Sequence, residues 1–357
     1  MVSDPQRRHL KFWFDVLTPK QVNFFKPIID GLRERGHEVL CTSRVYREVE
    51  ELASLKAMEL TKVGEHGGDS LYGKVKASAE RTRELIDVVR DFQPDCLVSF
   101  SSPEASRIAF GLQIRNVGFN DSPHAEAVCR LSIPLMNKLM CPWIIPINEF
   151  THYGIAKNQI LQYKALDPAM WIKDGRGIFT HQDLKLNPAK KTITFRFEES
   201  KAAYMSSKPD SASLLRVLVK SFGDCNIVVL CRYLDQLESV KKEFGGSVTV
   251  IDRVIDGMSL LMLSDVLIGS GGTMNCEASL LGVPNMSYTM HNILVNKFLF
   301  SRGISYKCTS ANEMVKLTRK MISDKSIQKT IKSKSQKLLL QMEDPKKKII
   351  KVLESNK

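Results

Sequence analysis

The chain has 357 residues, of which 43% are hydrophobic and 25% charged, and its net charge is +13. The length exceeds what one core usually takes and the composition is that of a soluble globular protein, so two domains are expected. No run of eighteen apolar residues occurs: the nearest, Leu131 to Ile147, is broken by Asn137, Lys138 and three prolines, which excludes a transmembrane helix.

The N-terminus, MVSDPQRRHLKFWFDV, has too short an apolar run for a signal peptide and reads as the lead-in to a first strand. "KFWFDV" (Lys11–Val16) is that strand, followed by a helical stretch from Gln21 to Arg35 with Gly36 as its stop. Then come "EVLCT", "MELTKV", a long charged helix around Gly73–Phe92, "DCLVSF", a helix near Glu104–Leu112, "RNVGF" and "WIIPI" near Trp143. From about Glu149 to Lys190 the pattern weakens, and "DPAMWIKDGRG" and "LNPAK" read as loops. It resumes with "KTITFRF", a helix near Ala212–Ser221, "NIVVLCRY", "SVTVID", "DVLIGS", a helix, "PNMSY" and helices to the end. Strand and helix alternating in this way imply right-handed crossovers and mostly parallel sheets. The expected class is α/β, with two Rossmann-like domains: residues 1–160, and 161–357 carrying a basic helical tail. A ligand would lie in a central cleft, faced by the carboxyl ends of both sets of strands.

Eight cysteines are scattered without a C-x-x-C pair, most of them in apolar runs. They read as buried thiols of a reducing, cytoplasmic compartment, and a structural zinc site has no support. From Asn312 to Lys357 there are 13 Lys and Arg against 5 Asp and Glu, a net of +8, and no aromatic residue. Without aromatic platforms this is no specific nucleic-acid site. It reads as solvated faces of terminal helices, or as attraction to an anionic membrane surface at the inner face of the membrane or to a polyanion.

Several polar clusters fall where strands should end. Asp15 closes the first strand, Thr18 suits an N-cap and Pro19 a first helical residue, and Lys20 and Gln21 are within reach of an acceptor or a phosphate. "HGGDSLYGK" makes a polar loop of His66, two glycines and Asp69 that suits either acceptor binding or a plain connection. "NDSPHAEAVCR" gathers Asp121, His124 and Glu126, with Arg130 four residues on; a histidine beside a carboxylate can move a proton near neutral pH. In the second half Arg196 ends a strand with Glu198 and Glu199, and is placed to meet a phosphate or to form a surface ion pair. Asp252 and Arg253 follow the strand "SVTVI", where a nucleobase could sit.

The most informative stretch is "DVLIGSGGTMNCEASLLGVP", Asp265 to Pro284. A buried strand ends at Gly269, Ser270, Gly271 and Gly272 let the chain turn sharply, and Thr273 opens a helix. The backbone N–H groups of Gly272, Thr273 and Met274 would favour a phosphate at the helix start, and Glu277, one turn along, would accept from ribose hydroxyls. The turn is neither G-x-G-x-x-G nor a Walker loop.

This segment resembles the C-terminal nucleotide-binding motif of GT-B-fold glycosyltransferases and of non-hydrolysing UDP-N-acetylglucosamine 2-epimerases. The rest of the chain is similar to an uncharacterised, mainly archaeal family of predicted glycosyltransferases of this fold, domain of unknown function 354. The marks of that resemblance are "DVLTPKQVNFFKPII", "RGHEV", "HGGDSLYGK", "FNDSPHAEA", "FRFEESKAAY" and "DGMSLLMLSDVLIGSGGTMNCEASLLGVP". The resemblance implies a GT-B-like fold, a diphosphate held at the Gly-Gly turn and a ribose held by Glu277. "HAEAVCR" is similar to the epimerase stretch H-x-E-A-G-x-R, with Val128 where a glycine is usual. Ser101, Ser102 and Glu104 stand where an epimerase would carry a catalytic aspartate.

Three readings of function follow. The first is a metal-independent glycosyltransferase that uses a nucleotide-diphosphate sugar, with a UDP-sugar the leading donor and no cofactor. His124 or Asp15 would be its base, Glu126 would orient that base, and Arg196 with the helix start would meet the diphosphate. Its acceptor is unknown; a lipid-linked one would suit the apolar "NFFKPII" face and the positive charge, and so would an ordinary packed helix and a soluble partner. The second is a nucleotide-sugar epimerase or hydrolase using Glu104, His124 and Glu126. The third is a non-catalytic protein that docks on a polyanion or a membrane through its tail.

Overall fold

The computed structural model describes residues 9–68, 70–173, 175, 177–198, 211–288 and 293–355. They form two compact units: one of residues 1–170 and 343–357, the other of residues 171–342.

In the first unit the strands are β1 (Lys11–Asp15), β2 (Glu38–Val45), β3 (Thr61–Glu65), β4 (Cys96–Ser99), β5 (Arg115–Phe119), β6 (Lys138–Pro142) and β7 (Ile160–Tyr163). They make one sheet in the order β3-β2-β1-β4-β5-β6-β7, and every pair is parallel. The helices are α1 (Pro19–Arg33), α2 (Arg47–Leu55), α3 (Leu71–Phe92), α4 (Pro103–Gly111), α5 (Glu126–Ser132) and the short α6 (Asn148–Thr151). A further short helix, α7 (Ala169–Ile172), lies at the boundary of the two units.

Parallel strands are covered on both faces, so they read as continuous apolar runs. β1 is the example: Phe12, Trp13 and Phe14 are all fully buried. Trp13 reconciles burial with its polar atom by donating from Nε1 to Thr42 Oγ1 at 2.7 Å. Leu85 and Val89 of α3 and Ala105 and Ile108 of α4 pack with Trp13 and Leu97 in one cluster. Phe24 and Phe25 of α1 meet Phe14, Phe100 and Phe119 in mostly edge-to-face contacts of 4.9 to 5.8 Å.

The second unit has β8 (Thr192–Arg196), β9 (Asn226–Leu230), β10 (Thr249–Ile251), β11 (Val266–Gly269), β12 (Asn285–Ser287) and β13 (Tyr306–Lys307). Their order is β10-β9-β8-β11-β12-β13, again parallel throughout. Its helices are α8 (Ser211–Ser221), α9 (Leu234–Phe244), α10 (Gly257–Met262), α11 (Thr273–Leu281), α12 (Leu294–Ser301), α13 (Ala311–Ser323) and α14 (Lys325–Gln341). Alternate side chains of a strand go to opposite faces. Val266 and Ile268 of β11 join Leu215 of α8 and Met314 of α13, while Leu267 joins Leu260 of α10 and Met274 of α11.

The two Rossmann-like parallel sheets agree with the expected fold, and four details differ. "WIIPI" is not a strand: the sheet uses Lys138–Pro142, and residues 143–147 turn after Pro142. β7 and the two-residue β13 lie outside the expected strands. The first unit runs to Met170 rather than to about residue 160, because β7 pairs with β6 at the edge of the first sheet. The basic segment is divided: residues 312–342 stay in the second unit, as expected, but the part from Glu343 on belongs to the first. Its last helix, α15 (Pro345–Glu354), buries Ile349, Ile350 and Leu353 there. Arg115 donates to the carbonyls of Leu353 and Val352 at 2.8 and 2.7 Å, and His37 meets Glu354 at 3.2 Å. Among the described residues no helix is long and apolar enough to cross a membrane, and all eight cysteines are free thiols.

Candidate functional site

In the second unit β11 lies between β8 and β12, and its carboxyl end leads into the glycine turn. Gly271 and Gly272 have φ of +86° and +79°, the left-handed region that a side chain disfavours. A Cβ on Gly271 would also run into Nδ2 of Asn296 and reach 3.2 Å from Ser287 Oγ. Asn275 locks the turn from inside. Its Oδ1 accepts from Gly271 N at 3.0 Å, and its Nδ2 donates to Met286 O at 3.0 Å.

Gly271 N–H is therefore spent inside the protein. The amides that remain at the helix start follow it. The first intrahelical bond of α11 is Cys276 N to Gly272 O at 3.1 Å. The N-cap position is Gly272, which has no side chain to bond the first-turn amides. Ser270, Gly271, Gly272 and Thr273 are partly exposed, and the Met274 side chain is core. Side chains cap α3, α4, α10, α13, α14 and α15, from Ser70, Ser102, Asp256, Ser310, Asp324 and Asp344, whereas α1, α2, α5, α9 and α12 lack such a bond as α11 does.

Glu277 sits on α11 with only 6% of its surface exposed. Its Oε1 accepts a 2.8 Å hydrogen bond from Trp171 Nε1, and its Oε2 lies 3.7 Å from where Gly257 would carry a Cβ, at the start of α10. Arg196 ends β8, the neighbour of β11, so it shares the sheet edge with the turn; its side chain is half-buried and its carbonyl accepts from Tyr288 Oη at 2.9 Å. Tyr288 Oη also lies 3.0 Å from Oε2 of the buried Glu198, so its one proton is shared between that carboxylate and the carbonyl, and Ser211 donates to the same Oε2. Burial and the Glu198 charge push the Tyr288 hydroxyl well above its usual range. Glu199 lies outside the described residues. Asp252 is exposed and paired with Lys241 at 2.7 Å, while Arg253 reaches Asp183 O at 3.5 Å.

At the carboxyl edge of the first sheet the expected residues divide. Asp15 is fully buried, bonded by Arg81 Nη2 at 2.6 Å, Arg81 Nη1 at 3.1 Å and Thr42 Oγ1 at 2.7 Å. A carboxylate saturated with donors and sealed from solvent cannot take a proton from an acceptor, so the expectation of a base at Asp15 is corrected to a structural role. Thr18 occupies the N-cap of α1 without a capping bond from its hydroxyl, and Gln21 Oε1 accepts from the amide of Leu17, the residue before the cap, at 2.6 Å. Gln21 is thereby turned inward.

Lys20 is the centre of a second cluster. Its Nζ is 2.5 Å from Asp121 and 2.6 Å from Asp167, and lies 4.6 Å from the centroid of the Phe100 ring. Tyr163 donates to Asp167 at 2.5 Å, and Ser122 to Asp121 at 3.0 Å. Burial alone would discharge Lys20, but the two carboxylates outweigh it and raise its pKa. Asp121 is likewise opposed by burial and held below the usual range by Lys20. Asp167 is raised: burial dominates, Lys20 offsets only part of it, and the Asp121 charge adds to it.

His124 and Glu126 are exposed on the turn into α5. The Glu126 carboxylate accepts from Arg130 Nε at 2.8 Å, one turn along its own helix, so its partner is the arginine rather than the expected histidine. His66 is exposed and stacks on Tyr46 with centroids 5.6 Å apart, while Asp69 lies outside the described residues. Asn275, Trp171, Asp167 and Arg81 are the contributors that the sequence did not announce. Among the described residues no group of three or more His, Cys, Asp or Glu is arranged to hold a metal ion.

The profile of the family described as "Protein of unknown function (DUF354)" matches residues 10–352. The uncharacterized protein MJ0665 of Methanocaldococcus jannaschii is 28% identical over 313 residues, which cover 86% of this chain and 90% of that protein. Among solved structures, a UDP-GlcNAc 2-epimerase from Neisseria meningitidis bound to UDP-GlcNAc superposes with a TM-score of 0.72 at 15% identity, over 96% of this chain and 99% of that one. The spinosyn forosaminyltransferase SpnP superposes with a TM-score of 0.66 at 14% identity, over 97% of this chain and 99% of that one. These likenesses establish a fold shared with glycosyltransferases and epimerases.

Proposed function

The chain belongs to the DUF354 family, and from the glycine turn of its second unit we propose that it is an enzyme transferring a sugar from a nucleoside-diphosphate donor to an acceptor hydroxyl. The observation that carries this reading is the start of α11: a helix without a capping side chain, reached through two left-handed glycines at the carboxyl end of a central strand. Such a terminus offers bare amides and the positive end of a helix dipole to a phosphate. As the bond to the sugar breaks, the same amides and Arg196 meet the charge that develops on the leaving diphosphate, without a metal. Glu277, one turn along α11 and bonded by Trp171 through Oε1, is assigned to the ribose. Two structures that share the fold, an epimerase bound to UDP-GlcNAc and a forosaminyltransferase, support the substrate class.

The acceptor end is assigned to the first unit, with His124, exposed at the carboxyl edge of that sheet, as the base. Glu126 is not part of that base on this reading. A UDP-sugar is the leading donor and the cytoplasm the expected compartment.

A thermal-shift panel of UDP, GDP, CDP and dTDP sugars tests the proposal, because a ligand of the folded state raises the midpoint. One nucleotide series is expected to stabilise the protein, and a panel without any shift contradicts the reading. Incubating the stabilising sugar without an acceptor then separates transfer from the alternatives: a new hexose or free nucleotide under those conditions points to an epimerase or a hydrolase.

A further inference from the structure

The carboxyl edge of the first sheet holds two arginines in very different states. Arg81, on α3, is fully engaged: Nε donates to Val63 O at 3.0 Å and both terminal nitrogens go to Asp15. A bulge makes this possible. Between Ser43 and Val45 of β2 the register with β3 slips, so that Arg44 faces both Val63 and Gly64. Gly64 has φ of +72°, and a Cβ there would sit 2.8 Å from the Arg81 side chain.

Arg44, opposite that bulge, is half-buried, and its Nε is shielded from solvent without a hydrogen-bond partner among the described residues. The charges it faces are Glu104, Arg81 and Asp15, with the Tyr46 hydroxyl. Asp15 is consumed by Arg81 and Thr42. Glu104 lies 3.8 Å from Arg81 Nη1 and takes a 3.4 Å bond from Ser102. Burial lowers the Arg44 pKa, and Glu104 only partly offsets this. A guanidinium cannot discharge at physiological pH, so a desolvated one without a bonded carboxylate is costly unless an anion completes it. Its planar fork matches the two oxygens of a carboxylate or a phosphate. Tyr46, two residues on, stacks with His66 and adds a flat aromatic wall of the kind that packs on a sugar ring.

We propose that Arg44 is the anion-receiving group of an acceptor subsite, so that the acceptor carries an oxyanion, either a carboxylate or a phosphate. The word acceptor rests on the transferase reading above; the binding of an oxyanion at Arg44 does not.

The test is thermal unfolding of the full chain as inorganic phosphate replaces chloride at constant ionic strength, with and without saturating UDP, for wild type, Arg44→Met and Glu104→Gln. Wild type is expected to gain stability with phosphate. Arg44→Met is expected to start at an equal or higher midpoint, having lost a buried charge, and to bind phosphate at least about tenfold more weakly. Glu104→Gln is expected to bind phosphate more tightly, since it removes a competing negative charge. Glucuronate in place of phosphate tells a carboxylate source from a phosphate one. If Arg44→Met responds to phosphate as wild type does, or is less stable than wild type without phosphate, Arg44 is a structural residue and the proposal fails. The UDP shift, read in the same runs, reports on the nucleotide site alone: UDP stabilisation without an Arg44-dependent phosphate response overturns only the subsite, and the reverse result overturns only the nucleotide reading.

Discussion

Trp171 Nε1 donates to Glu277 Oε1 at 2.8 Å, joining a residue from a stretch without periodicity to the helix that opens at the glycine turn. The bond fixes the orientation of a nearly buried carboxylate. Trp171→Phe keeps most of the ring and removes the donor. It is expected to weaken nucleotide binding about tenfold, the order of one hydrogen bond to a charged group. Glu277→Ala is expected to abolish the nucleotide-induced thermal shift. Calorimetric titration of both variants checks this, and unchanged affinity in both would remove Glu277 from the site.

The two glycines of the turn are expected to differ. A Cβ on Gly271 meets Asn296 and Ser287, whereas one on Gly272 meets nothing within 4 Å. Gly272→Ala then carries only the backbone strain of positive φ, about 1–3 kcal/mol. Gly271→Ala adds a clash inside the Asn275-locked turn and is expected to cost more than that and to lose nucleotide binding. Urea unfolding of the two variants compares them.

Asp15 and Arg81 form a buried, bidentate pair. Arg81→Met and Asp15→Asn are each expected to destabilise the first unit, the former by about 3–5 kcal/mol, because one charge is left buried without its partner. A catalytic base would behave otherwise: Asp15→Asn would keep the unfolding midpoint and lose only turnover.

The Lys20 cluster gives a pH prediction. Asp167 has a raised pKa in the folded state, so its contribution to stability is present at low pH and lost as pH rises through the folded value. Asp121 has a lowered pKa, so its contribution is present above the ordinary carboxylate range and lost below it. Asp167→Asn is therefore expected to flatten the decline of stability above the ordinary carboxylate range. Lys20→Met is expected to cost about 3 kcal/mol at neutral pH and less as the solution is acidified and Asp167 is protonated. Denaturation midpoints from pH 4 to 8 decide it, and parallel profiles for wild type and Asp167→Asn would contradict it.

Deleting residues 344–357 separates the last helix as a packing element from the last helix as a docking tail. Removing α15 exposes the surface that Ile349, Ile350 and Leu353 cover, at about 1.5–3 kcal/mol for each buried side chain. The first unit is expected to unfold or aggregate, whereas a dispensable docking tail would leave the midpoint unchanged.

The strands and the glycine turn were legible in the sequence because each has a local cause. Strands buried on both faces need unbroken apolar runs, as in "KFWFD", and a sharp strand-to-helix turn needs residues that tolerate positive φ. The partners of the polar side chains were not legible, because the contacts are distant in sequence. Trp171 meets Glu277 across 106 residues, and Arg81 meets Asp15 across 66. Arg81 sits in a helix rich in charge, where nothing local separates a buried arginine from a solvated one. In α15 the isoleucines announced an apolar face while the lysines suggested a free tail, and no local signal says which unit that face covers. Asp15 looked catalytic because a carboxylate at the end of a central strand usually faces solvent; the arginine that seals it comes 66 residues later, from α3.

The central claim concerns the amides at the start of α11, and they can be observed one by one. Amide proton and nitrogen shifts of Gly272, Thr273 and Met274 should be followed while UDP is titrated into the labelled protein. The account predicts that these three move downfield together and saturate at one equivalent, with Gly271, already bonded to Asn275, moving least. If UDP binds while the three signals stay in place, or if UDP, GDP, CDP and dTDP all leave the spectrum unchanged, the phosphate site is not there.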